Sequence, residues 1–110
     1  MEKTQVSVRA NRMRAEEIME LLNRERYEAL AVRDPIAIAL AAERYNALSE
    51  ALKDVPPNEV MDLYKPFLSV SQAAKLLGYN AKEVRRLLGQ GKLSGKKINN
   101  QWRIPLKAVL

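Results

Sequence analysis

The sequence of this 110-residue chain predicts an α+β fold in two parts. Three observations lead there. Apolar residues recur every three or four positions through several segments, which is helical spacing, whereas TQVSV (4–8), YEALAVRD (27–34) and PIAIALA (35–41) alternate or collect β-branched residues, a pattern that admits strands. Charge divides along the chain: residues 1–65 hold 10 Lys and Arg against 12 Asp and Glu (−2), and residues 66–110 hold 9 against the single Glu83 (+8). Three of the five prolines fall in DVPPNEVMDLYKP (54–66), which marks a linker between the two parts.

Composition narrows the chemistry. The chain has no cysteine and no histidine, which removes disulfides, thiolate or imidazole metal sites, cysteine nucleophiles and serine–histidine machinery. The carboxylates are spread along charged segments rather than set apart in an apolar setting, so no enzymatic activity and no cofactor are expected. No apolar run is long enough to span a bilayer, and MEKTQVSVRANRMR lacks the apolar centre of a signal peptide. A soluble cytoplasmic protein is expected. A half that is basic around one acid is the electrostatic footprint of a polyanion binder.

The basic half reads element by element. In FLSVSQAAKLLGYNAKEVRRLLGQGKL, Ser69 can cap a helix with Gln72 as capping-box partner, and Val70, Ala73, Ala74 and Leu77 form its apolar face. Gly78 ends that helix in the left-handed conformation. Asn80 caps a second helix with Glu83 at its third position; Val84, Leu87 and Leu88 are the buried stripe, and Gly91 stops it. Two short helices around a tight glycine turn are the helix-turn-helix pattern. On the second helix Lys82, Arg85 and Arg86 lie away from the stripe and are the candidate base-reading residues, with Gly89 allowing close backbone approach. SGKKINNQWRIP reads as a β-hairpin. A three-residue loop, Asn99 to Gln101, is preferred because it sets Ile98 against Trp102 on a buried face and Lys97 against Arg103 outside. Lys75, Lys92, Lys96, Lys97 and Arg103 are the candidate phosphate contacts. Leu106 to Leu110 predicts a short closing helix.

Residues 68–110 resemble the excisionase-type winged helix-turn-helix, a relative of the MerR DNA-binding domain, through LSVSQAAKLLG, Val84, GKL at 91–93 and WRIP at 102–105. The resemblance implies a recognition helix in the major groove and a wing on the flanking backbone. Arg85 and Gly89 depart from the residues usual in that family, so its sequence preference does not carry over.

The mixed-charge half admits two readings. As a helical hairpin, residues 11–55 break at Asp34-Pro35, where Asp caps and Pro takes the first turn, and Ile38, Ala41, Tyr45, Leu48, Leu52 and Val55 share one face. As strands, TQVSV comes first, NRMRAEEIMELLNRE (11–25) is a helix, YEALAVRD and PIAIALA pair, and a closing helix begins near Ala42. Periodicity leaves both open. Residues 4–53 also resemble the prevent-host-death (Phd/YefM) antitoxin domain, through VSV, a helix ending MELL, and ALAVRDPIAIALAAERYNALSEAL; the resemblance implies a β-α-β-β-α dimerisation domain and favours the strands. The family's usual basic–glycine hairpin turn is replaced here by Arg33-Asp34-Pro35.

The expected organisation is a dimerisation domain (1–53), a linker with a short Asn58-capped helix (54–66) and a winged helix-turn-helix (67–110). The expected function is sequence-specific binding of double-stranded DNA by a homodimer, with the resemblances implying the antitoxin and autorepressor of a type II toxin–antitoxin module. The alternatives are an excisionase-like recombination directionality factor, a repressor of a mobile element, or a protein-interaction or packaging adaptor. A toxin would meet the acidic face of Glu16, Glu17, Glu20, Glu43 and Glu50 together with the linker residues Glu59, Val60, Met61, Leu63 and Tyr64.

Overall fold

A computed structural model describes residues 11–110. The strand expected at 4–8 lies outside the described residues. The order is β1 (Arg12–Arg14), α1 (Ala15–Val32), α2 (Pro35–Ala51), β2 (Val60–Asp62), β3 (Pro66–Leu68), α3 (Val70–Leu77), α4 (Ala81–Gly89), β4 (Lys96–Ile98), β5 (Gln101–Pro105) and a 3-10 turn at Leu106–Ala108. No described helix is long and apolar enough to cross a membrane.

The first correction concerns YEALAVRD and PIAIALA, which are helix rather than paired strands: α1 runs on to Val32, and α2 begins at Pro35 rather than Ala42. Local chemistry explains the break between them. Arg33 adopts a left-handed φ of 62° and donates its N–H to the Ala29 and Leu30 carbonyls; Asp34 Oδ1 then accepts from the Ile36 N–H at 3.0 Å, and Pro35 occupies the first turn. Burial decides the register. Helical spacing places Ala41, Leu48 and Leu52 in the core, each buried Leu contributing about 2 kcal/mol, with Tyr45 half-buried beside them. The alternation Ile36, Ile38, Leu40 that suggested a strand buries little: Ile36 remains 72% exposed and Leu40 47%. The alanines between them, strong helix formers, go with the helix.

The second correction concerns the linker, where a short helix was expected over residues 59–64. Val60–Asp62 is instead strand β2, antiparallel to β1 with Met13 opposite Met61. The N-terminus of α1 supplies the reason. Its first amide groups have no partner within the helix; the Glu59 carbonyl accepts from the Ala15 N–H and the Pro57 carbonyl from the Glu16 N–H, both at 2.9 Å. A turn closed by the Glu59 N–H on the Pro56 carbonyl at 3.0 Å presents those two carbonyls to the helix end, and the chain then extends into β2.

In the second sheet β5 is central, with β3 and β4 on either side. One buried cluster runs through Ile18, Leu22, Leu48, Leu63, Leu68, Leu76, Val84, Ile104 and Leu106, so residues from the mixed-charge and basic halves share it. Arg44 lies at the seam. Its guanidinium donates to Glu25 Oε2 on α1, to the Leu76 carbonyl at the end of α3 and to the Val109 carbonyl, each at 3.2 Å. A cation at the carbonyl end of α3 is also favoured by the helix dipole.

Replacing Arg44 with methionine keeps the apolar stem and removes all three bonds. The variant should lose about 2 kcal/mol of unfolding free energy in urea titration, while Arg24→Met, on the exposed face of α1, should lose little.

Candidate nucleic-acid interface

The helix-turn-helix forms as its caps dictate. Ser69 Oγ accepts from the Gln72 N–H at 3.2 Å, and Gln72 Oε1 accepts from the Ser69 N–H at 2.9 Å. Gly78, at φ 73°, closes α3. Asn80 Oδ1 accepts from the Glu83 N–H at 2.8 Å and starts α4. Ala73, Ala74 and Leu76 bury α3, with Val70 and Leu77 half-buried; Leu76, fully buried, was not in the expected stripe. Val84 and Leu88 bury α4 and Leu87 is half-buried. The β4–β5 hairpin then sits tightly on α4. A Cβ at Gly95 would lie 2.5 Å from Leu88 Cδ2 and 3.2 Å from the Arg103 carbonyl, so a side chain here would make Leu88 shift.

The hairpin corrects a further expectation. Its loop is the two-residue Asn99-Asn100, with φ of 49° and 65°, not a three-residue loop. Positive φ at both central residues is the turn whose twist matches paired strands, and asparagine tolerates it. The register therefore pairs Ile98 with Gln101, Lys97 with Trp102 and Lys96 with Arg103. Ile98 loses its place beside Trp102 and is 46% exposed. Trp102 is half-buried, and Lys97 Nζ stands 5.7 Å from its ring. Lys96, not Lys97, shares the outer face with Arg103. Ile104, on the same side as Trp102, is fully buried.

The candidate contacts are spread over several places, with Lys96 and Lys97 exposed on β4 and Lys92 in the turn after α4. Arg85 and Arg103 line one groove together with Ser69, Ser71, Asn100 and Gln101. The polar members were missed in the sequence, where only the Asn-Asn loop hinted at them. Arg103 also donates to the Phe67 carbonyl at 3.4 Å. Lys82 and Arg86 are exposed on α4, but the Arg86 guanidinium is engaged by Glu83 through two bonds and by Gln90 Oε1 at 3.0 Å. Lys75 lies elsewhere, in the cleft between α2 and α3 near Glu43 and Glu50. Of the linker residues expected to meet a protein partner, Leu63 belongs to the core at 2% exposure and Met61 is half-buried; Glu59, Val60 and Tyr64 are exposed.

The only acid of the basic half is thus held by its neighbours. The hydrogen bond from Arg86 lowers the Glu83 pKa from its ordinary 4.5; the charges of Arg86 and Lys92 act the same way, against a burial effect. The same bond raises the Arg86 pKa.

Residues 67–110 match the helix-turn-helix domain family, of excisionase-like type. That match suggests sequence-specific DNA binding. It does not extend to the residues that resemble the antitoxin domain. No curated protein and no solved structure matches the chain.

A lowered carboxyl pKa stabilises the fold above the unfolded value and ceases to do so as pH falls through the folded one. The stability difference between the wild type and Glu83→Gln should therefore be full at neutral pH and vanish as pH drops below the glutamate range, which thermal melts across pH 3–7 would measure.

Proposed function

We propose that this protein binds double-stranded DNA in a sequence-specific manner, with α4 in the major groove and the β4–β5 hairpin along the flanking backbone. The observation that carries the reading is the continuous basic surface of Lys82, Arg85, Lys96 and Arg103 on α4 and the hairpin, whose one carboxylate is already neutralised by Arg86. An unneutralised acid there would repel phosphate; a paired one does not. Lys82 and Arg85 read base edges, while Arg86, expected beside them, stays on Glu83 and keeps that carboxylate neutralised. Lys92, Lys96, Lys97 and Arg103 meet phosphates. The face of α4 at Gly89 is open, with nothing within 4 Å of a Cβ placed there, so the backbone can approach the groove closely.

The role of that binding is best read as that of a repressor or an excisionase-like architectural factor, since both need only this half of the chain. The antitoxin reading drew on a strand pair over residues 27–41, and those residues are helical. The homodimer and the toxin partner were inferred with that strand pair and lose the same support.

Affinity should fall steeply with salt, because each neutralised phosphate releases a counterion. Lys96→Ala or Arg103→Ala should weaken binding to all sequences alike and reduce the salt slope by roughly one. Arg85→Ala should instead lose about 1–3 kcal/mol of discrimination at one base position. Selection from a random DNA library checks the second point; identical motifs for the wild type and Arg85→Ala would reject the assignment.

A further inference from the structure

Among the described residues, the helical hairpin and the turn after α3 leave large apolar side chains exposed. Val32 is 71% exposed, Ile36 72%, Leu40 47% and Tyr79 50%. These side chains are not scattered. Val32, Ala37 and Leu40 line a shallow groove between α1 and α2. Leu40 also lines the cleft between α2 and α3, of about 600 Å³, with Ala47 and Tyr79. Leu40 is a wall of both depressions, so they flank α2 and apolar surface passes from one to the other over that half-exposed side chain, a shallow trough with Leu40 at its middle; Ile36 stands one helical turn before Leu40 on α2. A joined apolar patch of this kind on a small protein marks an interaction surface.

Charge states what fits it. Residues 15–51 hold eight Asp and Glu against four Arg, a balance of −4. Glu28 borders the groove, and Glu43 and Glu50 border the cleft. The two linings together hold Glu25, Glu28, Glu43 and Glu50 against Arg44 and Lys75, a balance of −2, and Arg44 is already paired with Glu25. A second copy of the chain is a poor occupant. Two such hairpins repel, and the basic helix α4 has already buried its apolar stripe, Val84 and Leu88, in its own core. The trough shares no lining residue with the groove of Arg85 and Arg103.

We propose that this trough docks an amphipathic helix of a partner protein whose apolar stripe is flanked by Lys or Arg. Apolar anchors at helical spacing would enter at Val32, Leu40 and Tyr79, and the flanking cations would meet Glu28 and Glu43. The cleft reaches Gly78 and Tyr79, the turn that leads into α4. An occupant would therefore touch the segment that positions the proposed recognition helix.

The probe is a fluorescein-labelled helical peptide of leucine and lysine, with leucines spaced by three and four, titrated with the full chain and followed by anisotropy. The expected result is saturable binding that weakens about ten-fold or more in Val32→Ser and in Leu40→Ser, and that is lost when glutamate replaces lysine in the peptide. Val32 is so exposed that its replacement should leave the thermal melt unchanged. Equal binding by wild type and both variants would mean charge attraction alone and would overturn the proposal, as would the absence of saturable binding. Sedimentation of the free chain as a dimer that Leu40→Ser converts to a monomer would also overturn it, in favour of a second copy.

Discussion

The guanidinium of Arg44 holds together elements that the chain keeps far apart. It extends from the middle of α2 and reaches a carboxylate on α1, the last turn of α3 and the end of the chain at Val109. Arginine suits the task because its planar fork donates in several fixed directions at once and keeps its charge. The two carbonyls it meets lie where α3 and the closing turn have run out of their own donors. Around it the apolar contacts of Leu48, Leu76 and Val109 supply the larger part of the attraction, and they have no direction. The Arg44 bonds supply direction, and so set how the helix-turn-helix sits on the hairpin.

That seating gives the molecule two electrical faces. The acidic hairpin and the basic helix-turn-helix are covalently joined and share a core, yet their outer surfaces differ in sign. Such a division suits a protein that meets a polyanion on one side. In the DNA-binding role proposed above, the basic side would face the phosphates and the acidic side would be held off them, which would orient approach.

The segment between the halves shows how a chain end can decide its neighbour's conformation. Helix α2 has already ended at Ala51, before Pro56 and Pro57, and the conformation that follows them is settled by demand from elsewhere. The first amides of α1 need acceptors, and the carbonyls of Pro57 and Glu59 are the ones within reach. Leu63 then drops into the core, and its carbonyl accepts from Lys107. A stretch that looked free to meet a partner is a structural strap.

By itself the sequence determined what local chemistry controls. The Ser69–Gln72 capping box, the Gly78 turn, the Asn80 cap and the Val84–Leu88 stripe each involve residues within a few positions of one another, so the helix-turn-helix was legible and with it the surface of Lys82 and Arg85. The Asp34-Pro35 cap was legible too, as one of two readings. Only the tertiary structure decided between them. PIAIALA satisfies both a two-residue and a helical period, and the choice falls to whichever face finds a core; Ala41, Leu48 and Leu52 find one, and Ile36 does not. The hairpin register was likewise beyond local reading. Pairing Ile98 with Trp102 promised more burial, but the Asn-Asn turn matches the strand twist, so burial of Ile98 is given up. Contacts made across the whole chain, such as those of Arg44, leave no period and no motif, because they are properties of how finished elements meet.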